Sequence, residues 1–188
     1  MPLALHPITW PFIVFLVFWA VTWRSTKKTA ERESYLRWFS YWVSAAIAVY
    51  LLLAPFNAPA LNILLIPGSF ALHSLGFLVE VIGLCIAIWA RITLGRNWSA
   101  NVTFKEKHEL ITKGPYRLVR HPIYTGMLIM FLGAAVYLGM FAGFIGLLFL
   151  FLSFWIKSRQ EERLMAKHFP KEYGNYKRTT KALIPFFY

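Results

Sequence analysis

The sequence predicts an all-α, polytopic integral membrane protein with five transmembrane helices, and three observations support this. Of 188 residues, 58% are hydrophobic, and the mean hydropathy is +0.52. The apolar residues form long blocks, as in membrane spans, and do not alternate with polar ones. All 20 Lys and Arg lie in three segments, 24–37, 91–120 and 157–181, that flank these blocks.

The first two spans are expected at about 8–23 and 38–54. The opening residues lack a basic leading region and a clear cleavage site, so we interpret them as a retained span and not as a removed signal peptide. Pro55 is expected to end the second span, because proline removes a helical hydrogen bond. The uncharged connection 55–68 that follows is either an outer loop or partly embedded.

The third span, expected at about 69–94, contains one acid, Glu80. Gly76, Glu80, Gly83 and Ala87 are spaced by four, three and four residues, so they share one helical face that should pack against another helix. An intramembrane carboxylate is a candidate functional group. The alternative is that Glu80 is a protonated or hydrogen-bonded packing residue.

An uncharged apolar run extends from Ile123 to Ile156. As one helix it would be roughly 50 Å long, whereas the hydrocarbon core of a bilayer is about 30 Å thick. It is therefore expected to fold into a tight hairpin at 137–143, where its central glycines lie. This gives the fourth and fifth spans at about 123–138 and 141–156.

The positions of the basic segments predict one orientation. They follow the first, third and fifth spans, and positive segments favour the cytoplasmic side. The N-terminus is thus expected outside and the C-terminal tail inside. The tail should form a helix with Glu161 and Glu162 in its first turns and a break at Pro170. No repeat or linker divides the chain, so 1–188 is expected to be one domain.

Charge and cysteine content argue against two other classes of protein. A net charge of +12 can indicate nucleic-acid binding, but here the basic clusters flank apolar spans, which is typical of membrane proteins. The single cysteine cannot form an intrachain disulfide or a Cys-rich zinc site. We therefore expect neither a nucleic-acid partner nor a metal.

Residues able to do chemistry concentrate at the two cytoplasmic ends of the predicted hairpin. His121 should cap the helix that begins at Pro122, with amides of its first turn open to solvent or a ligand. Such a helix end attracts anions, and Arg117 and Arg120 add to that field. The acid pair 161–162 should lie beside this helix start.

The predicted pocket has donors for a carboxylate, acceptors for an amine or a ribose, and Tyr116 and Tyr124 as flat walls. Each residue also has a simpler interpretation. The arginines can serve as positive-inside anchors and His121 as a plain helix cap. Glu161 and Glu162 can serve as first-turn acids that complement a helix dipole.

The order of motifs from 94 to 188 resembles the isoprenylcysteine carboxyl methyltransferase family, which is similar in turn to membrane phospholipid methyltransferases. The resemblance depends on His108-Glu109-Leu110-Ile111, Gly-Pro-Tyr116, Arg120-His121-Pro122-Ile123-Tyr124-Thr125-Gly126, an apolar hairpin, Glu161-Glu162, and the later Tyr173 and Tyr176. The first two spans carry no part of it.

This resemblance implies a membrane enzyme that uses S-adenosylmethionine, releases S-adenosylhomocysteine and methylates a lipid-like or prenylated acceptor, most simply at a carboxylate. The sequence agrees in lacking a glycine-rich dinucleotide-binding fingerprint. The implied cofactor contacts are His108, Glu109, Leu110, Ile111, Tyr116, His121, Pro122, Ile123, Tyr124, Glu161 and Glu162. Candidate catalytic residues are Arg120, His121, Lys157, Arg159 and Glu80.

Lys157 occupies a position where the family has a substrate-binding arginine, and a lysine lacks the planar fork that binds a carboxylate at two points. The alternatives are N-methylation of a phospholipid amine, a membrane reductase similar to sterol reductases, and a non-enzymatic scaffold whose basic face binds anionic lipid.

Overall fold

The computed structural model describes residues 6–23, 29–32, 35–57, 61, 63–99, 103–105 and 109–185. In chain order its elements are α1 (Thr9–Trp23), β1 (Thr29–Arg32), α2 (Tyr35–Asn57), α3 (Phe70–Leu94), β2 (Thr103–Lys105), α4 (Pro122–Leu138), α5 (Phe141–His168) and α6 (Pro170–Thr179). The fold is helical, as predicted, and α1 to α5 cover the five predicted apolar segments.

The helix ends differ from the predictions at two places. Pro55 was expected to end the second span, but α2 continues to Asn57, because a proline near the end of a helix costs only one backbone hydrogen bond. The tail was expected to start a new helix near Lys157. Instead α5 runs unbroken from Phe141 to His168, since no helix breaker separates the apolar and charged parts, so Glu161 and Glu162 are not first-turn acids.

The predicted small-residue face of α3 packs against α4 through glycines on both helices. A Cβ added at Gly83 would lie 2.6 Å from the Gly126 carbonyl oxygen, and one added at Gly76 would lie 2.7 Å from the Gly133 carbonyl oxygen. Real side chains do not approach backbone so closely, so the two helices are in direct backbone contact. This contact fixes α4, and therefore the start of α4, relative to α3.

The predicted hairpin between α4 and α5 turns at Gly139. This residue has φ +66° and ends α4, and its amide donates to the Ala135 carbonyl. A left-handed glycine is the usual way to end a helix. The Gly139 carbonyl accepts the amides of Leu65 and Ile66 at 2.8 and 3.0 Å, so the described part of the 55–68 connection lies against this turn.

Two short strands accompany the helices. β1 and β2 pair antiparallel, with Thr29 opposite Lys105 and Arg32 opposite Thr103. This ribbon, which joins the first and second basic segments, was not predicted from the sequence.

Helix length separates the apolar helices into two groups. Among the described residues, Phe70–Asn97 and Phe141–His168 are long and apolar enough to cross a membrane. Thr9–Trp23 and Pro122–Leu138 are shorter apolar helices, at or below the usual minimum of about 17 residues for a span. In α2, which has 23 residues, the described apolar stretch is Phe39–Leu53. The five-span topology therefore stays a prediction.

Candidate functional site

The start of α4 and the charged half of α5 meet in one polar cluster, formed by Arg120, His121, Glu161 and Glu162. The imidazole of His121 lies between the two acids, with Nδ1 3.3 Å from Glu161 Oε2 and Nε2 3.4 Å from Glu162 Oε1. His121 is the residue preceding α4, but its side chain makes no capping hydrogen bond. The hairpin thus brings together the residues predicted at its two ends.

Arg120 ties the cluster to the C-terminal tail. Its Nε and Nη2 donate to Glu162 Oε1 at 2.9 and 2.6 Å, and its Nη1 donates to the Thr180 carbonyl. Lys177 Nζ lies 3.2 Å from Glu162 Oε2. The Glu162 side chain is 7% exposed, so these cations neutralise a carboxylate that is almost shielded from water.

The tail also holds the backbone at the start of α4. The amides of Arg120 and His121 donate to the carbonyls of Lys181 and Ala182 at 2.8 and 3.0 Å. The Thr125 hydroxyl donates to the Leu183 carbonyl at 2.6 Å. The chain after α6 therefore fixes the backbone just before α4. The amides that it binds are not the first-turn amides that were expected to face a ligand.

The charges in the cluster reinforce one another. Burial alone would lower the pKa of His121, but hydrogen bonds to Glu161 and Glu162, and their charges, raise it above its usual value. Burial would raise the pKa of both acids, but the hydrogen bonds and charges around them lower the pKa of Glu161 and bring that of Glu162 to about 2. The cluster thus stabilises the charged forms of these groups, an imidazolium between two carboxylates.

Tyr124 extends the cluster toward the interior of the helix bundle. Its hydroxyl donates to Glu161 Oε1 at 2.5 Å. Its ring stacks on His121 with centroids 5.6 Å apart and on Phe154 with centroids 4.6 Å apart. One side of this residue is therefore polar and the other belongs to the apolar core.

A cavity of about 130 Å³ opens beside the cluster. We call it the polar cavity because charged side chains of the cluster lie in its lining, although apolar groups contribute more of that lining. It is lined by Leu94, Asn97, Trp98, Ser99, Glu109, Leu110, Ile111, Tyr116, Arg120, His121, Ile123, Tyr124, Glu161, Met165, Tyr173 and Tyr176. Asn97 is buried, and its Oδ1 has no hydrogen-bond partner among the described residues. A buried acceptor without a partner is costly, which points to a ligand or water as its partner.

A larger apolar cavity of about 720 Å³ adjoins the polar one. It is lined along α1 from Thr9 to Trp23, along α2 from Tyr41 to Leu53, and by α4 and α5. Lys157 brings a cation into this lining. Its Nζ lies 4.9 Å from the ring centroid of Tyr41 and 5.4 Å from that of Tyr124. This volume is in the range of cavities that hold small-molecule ligands.

Most of the predicted cofactor residues line the polar cavity, but several do not. Pro122 and Glu162 are buried behind the lining, and His108 lies outside the described residues. Glu80 is fully buried between α3 and α4, outside both linings, and neither of its oxygens has a partner among the described residues. Arg159 is exposed beside Trp155, away from both cavities.

Three residues near the cavities were not predicted as site residues. Asn97, Trp98 and Arg91 lie at the end of α3 and just after it, and Trp98 lines both cavities. Arg91 is 2% exposed. The sequence offered only a weak signal for it, an arginine placed inside an otherwise apolar span.

Apolar helices around an apolar cavity, with a polar cluster at one end, define a helical membrane protein, and the comparisons agree. The family model described as phospholipid methyltransferase matches residues 71–172. This is more than half of the chain, which therefore belongs to the phospholipid methyltransferase family. The match begins at α3 and ends in α6, so it includes the polar cluster.

Curated relatives confirm the resemblance to isoprenylcysteine methyltransferases. The chain is 32% identical over 114 residues to a probable protein-S-isoprenylcysteine O-methyltransferase of Oryza sativa subsp. indica, covering 59% of this chain and 60% of that protein. It is 35% identical over 96 residues to the nickel-cobalt-cadmium resistance protein NccN of Alcaligenes xylosoxydans xylosoxydans, covering 50% of this chain and 44% of that protein. The matches thus span less than two thirds of these relatives.

A solved structure shares the fold. The eukaryotic intramembrane Ras methyltransferase, an isoprenylcysteine carboxyl methyltransferase, superposes with a TM-score of 0.56 at 21% identity, covering 98% of this chain and 69% of that one. At this identity the likeness concerns the fold alone, and it extends to α1 and α2, for which the sequence carried no resemblance.

Proposed function

We propose that this protein is a membrane methyltransferase that uses S-adenosylmethionine to methylate the carboxylate of a lipid-like or prenylated acceptor. The observation that carries the proposal is the pair of adjoining cavities, one polar and one apolar, which share the lining residues Trp98, Ser99, Ile123 and Tyr124. A polar donor and an apolar acceptor would meet at that shared boundary, where positioning can supply much of the catalysis.

The topology belongs to the same proposal. The chain would cross the membrane five times as a single domain, 1–188, with its N-terminus outside and the polar cavity and tail at the cytoplasmic face. The residues from 94 onward would form the donor-binding half. The acceptor's apolar chain would enter the larger cavity from the bilayer.

The polar cavity suits a nucleoside cofactor in its chemistry. Asn97 Oδ1 and the Glu161 carboxylate are acceptors for amino and hydroxyl groups, and Tyr116 and Trp98 are flat walls for a ring. Glu109, Leu110, Ile111, His121, Ile123 and Tyr124 would complete the contacts. Pro122 and Glu162 would support them from behind, Glu162 by orienting Arg120 and His121. When bound, S-adenosylmethionine supplies an electrophilic methyl group.

Lys157 favours an anionic acceptor. The residue is 8% exposed, and its ammonium brings positive charge to a cavity of otherwise apolar character, so it would attract a carboxylate. A carboxylate is already an anion at pH 7 and needs no general base. Glu80 lies outside both linings and is given no part in this reaction.

A second candidate is N-methylation of a phospholipid amine, which the description of the matched family favours. It would require an amine to lose a proton and to bind in the cavity beside the Lys157 ammonium. Repulsion between like charges disfavours that arrangement, so we rank it second.

The test is calorimetric titration of the detergent-solubilised protein with S-adenosylhomocysteine. We expect micromolar binding, weakened at least tenfold in Glu161→Gln and His121→Ala, because each loses a hydrogen bond in which one partner is charged. Glu172→Gln, on the exposed side of α6, is the matched control and should bind like the wild type. Absence of binding by the wild type would refute the proposal.

The product distinguishes the two acceptors. With a labelled methyl donor and host membrane lipids or a farnesylated cysteine as acceptor, base-labile label indicates an ester and base-stable label in lipid indicates an amine.

A further inference from the structure

The polar and apolar cavities meet at a boundary formed by four residues, of which Tyr124 and Trp98 are the largest. Trp98 and Ile123 belong to one buried cluster, against which Tyr124 packs. Among the described residues, these four side chains lie between molecules held in the two cavities. The boundary therefore controls any encounter between them.

Tyr124 is held from the side of α5. Its hydroxyl donates to Glu161 Oε1 at 2.5 Å, and its ring lies parallel to those of His121 and Phe154, at 8° and 12°. The same ring is 5.4 Å from Lys157 Nζ. One rigid side chain thus borders the polar cluster and also the cation of the apolar cavity.

Trp98 is held from the side of α3 and α1. The Arg91 guanidinium lies 4.6 Å above its ring. Arg91 Nη1 donates to the Gly95 carbonyl at 2.8 Å, and Nη2 donates to the Thr22 carbonyl at 2.9 Å. To bind two carbonyl groups on separate elements at once, a side chain needs the planar, forked guanidinium of arginine, which lysine lacks. Arg91 therefore joins the ends of α1 and α3 over the Trp98 ring.

The far edge of Trp98 rests on α1. Its ring meets those of Trp19 and Trp23 edge to face, with centroids 6.4 and 5.4 Å apart. Both of these residues also line the apolar cavity. Movement of α1 would therefore move Trp98 and change the width of the boundary.

We propose that Tyr124 and Trp98 determine which acceptors can present their nucleophile to the donor, and that Glu161 and Arg91 are the positioning residues that hold the two rings. The proposal rests on the function proposed above, in which donor and acceptor occupy the two cavities. A nucleophile must approach the donor methyl group in line, and a displacement of about 1 Å can cost a hundredfold in rate. Looser rings would thus weaken acceptor binding and turnover more than donor binding.

The experiment uses N-acetyl-S-farnesylcysteine as the acceptor probe. Calorimetry gives the Kd of the probe in the presence of S-adenosylhomocysteine, and initial rates give its KM and kcat. In Tyr124→Phe and Trp98→Phe we expect the probe Kd and KM to rise about fivefold and kcat to fall. Because both residues also line the donor cavity, the Kd of S-adenosylhomocysteine should rise as well, but by a smaller factor of about two.

Matched controls separate a local effect from a general one. Tyr137→Phe makes the same change at the opposite end of α4, where Tyr137 stacks on His73. Trp155→Phe makes the tryptophan change on the exposed side of α5. Both should keep wild-type values of Kd and KM.

Arg91→Lys tests the positioning role directly. It should reproduce the effect of Trp98→Phe, and the double variant Arg91→Lys/Trp98→Phe should be no worse than either single variant, because Arg91 acts through Trp98. If Arg91→Lys fails to fold, the two aromatic variants still decide the proposal.

The outcomes separate this inference from the proposed function. A wild type that does not bind S-adenosylhomocysteine refutes both. A wild type that binds it but neither binds nor methylates the probe overturns the inference and the acceptor class, and leaves donor binding intact. If Tyr124→Phe and Trp98→Phe keep the wild-type Kd and KM and show only a lower thermal midpoint, the inference alone is overturned. The two rings would then contribute to stability and not to the selection of acceptors.

Discussion

The two halves of this protein are packed in opposite ways. α3 and α4 touch backbone to backbone through glycines, and seven residues of α3 are buried. Of the fully described α1, only Pro11 is buried among Thr9–Trp23, and most of this helix lines the apolar cavity. α2 packs on α5 at Gly146, where an added Cβ would lie 2.8 Å from the Ala48 carbonyl oxygen, but other residues of α2 line the cavity. Close packing fixes geometry, whereas an open cavity leaves room for a ligand.

The difference in packing coincides with the part of the chain that the family model matches. Residues 71–172 contain the close-packed helices and the polar cluster, whereas α1 and α2 lie before them. Under the proposed function, the packed half would carry the chemistry and the open half would adapt to a particular acceptor. Three substitutions test this contrast, in order of their expected effect on stability.

Glu162→Gln should have the largest effect, because it removes the charge that balances Arg120, His121 and Lys177 inside the packed half. Breaking a buried ion pair from one side costs roughly 3 kcal/mol. The pKa of Glu162 is lowered to about 2, so its stabilising contribution is present above about pH 4.5 and is lost as the pH falls toward 2.

Thermal unfolding in detergent, followed from pH 6 to pH 3, measures the contribution of Glu162 to stability. The wild type should lose stability steeply over that range and Glu162→Gln much less. Glu172→Gln, with its exposed side chain, should follow the wild type. Parallel curves for all three proteins would contradict the stabilising role assigned to Glu162.

Gly133→Ala should have the second largest effect. The new Cβ would overlap the backbone of Glu80 and lie 2.5 Å from the Gly76 carbonyl oxygen, and such overpacking costs about 1–3 kcal/mol. Gly174→Ala is the matched control, since a Cβ there meets nothing within 4 Å. In the interior of α6 it should stabilise slightly, by about 0.5–1 kcal/mol. Equal unfolding midpoints would mean that α3 and α4 do not pack as closely as described.

Ala45→Phe should have the smallest effect on stability, because it adds volume where the open half has space. Ala45 lines the apolar cavity on α2. We expect the unfolding midpoint to shift by less than about 2 °C, with S-adenosylhomocysteine binding unchanged and probe binding weakened severalfold. Ala46→Phe, on the exposed side of the same helix, should leave all three quantities unchanged. A large loss of stability from Ala45→Phe alone would show that the α2 side is packed as tightly as α3 and α4.

Much of this architecture could be predicted from local features of the sequence. Apolar length and the glycines at 137–143 predicted the hairpin, because a helix much longer than a bilayer must turn. The spacing from Gly76 to Ala87 predicted the α3 face that packs on α4, because helical periodicity fixes which residues share a face. The hairpin then implied that His121 and the acids at 161–162 would be neighbours.

Only the tertiary structure determined how those neighbours are arranged. The tail returns to Arg120 and His121, Arg91 reaches α1, and Tyr124 borders two cavities. Each of these contacts joins residues far apart in the chain or depends on the direction of one side chain. Composition and periodicity constrain which face of a helix a residue occupies. Contacts between residues far apart in the chain depend on how all the helices pack together, and the sequence pattern of a single helix does not contain that information.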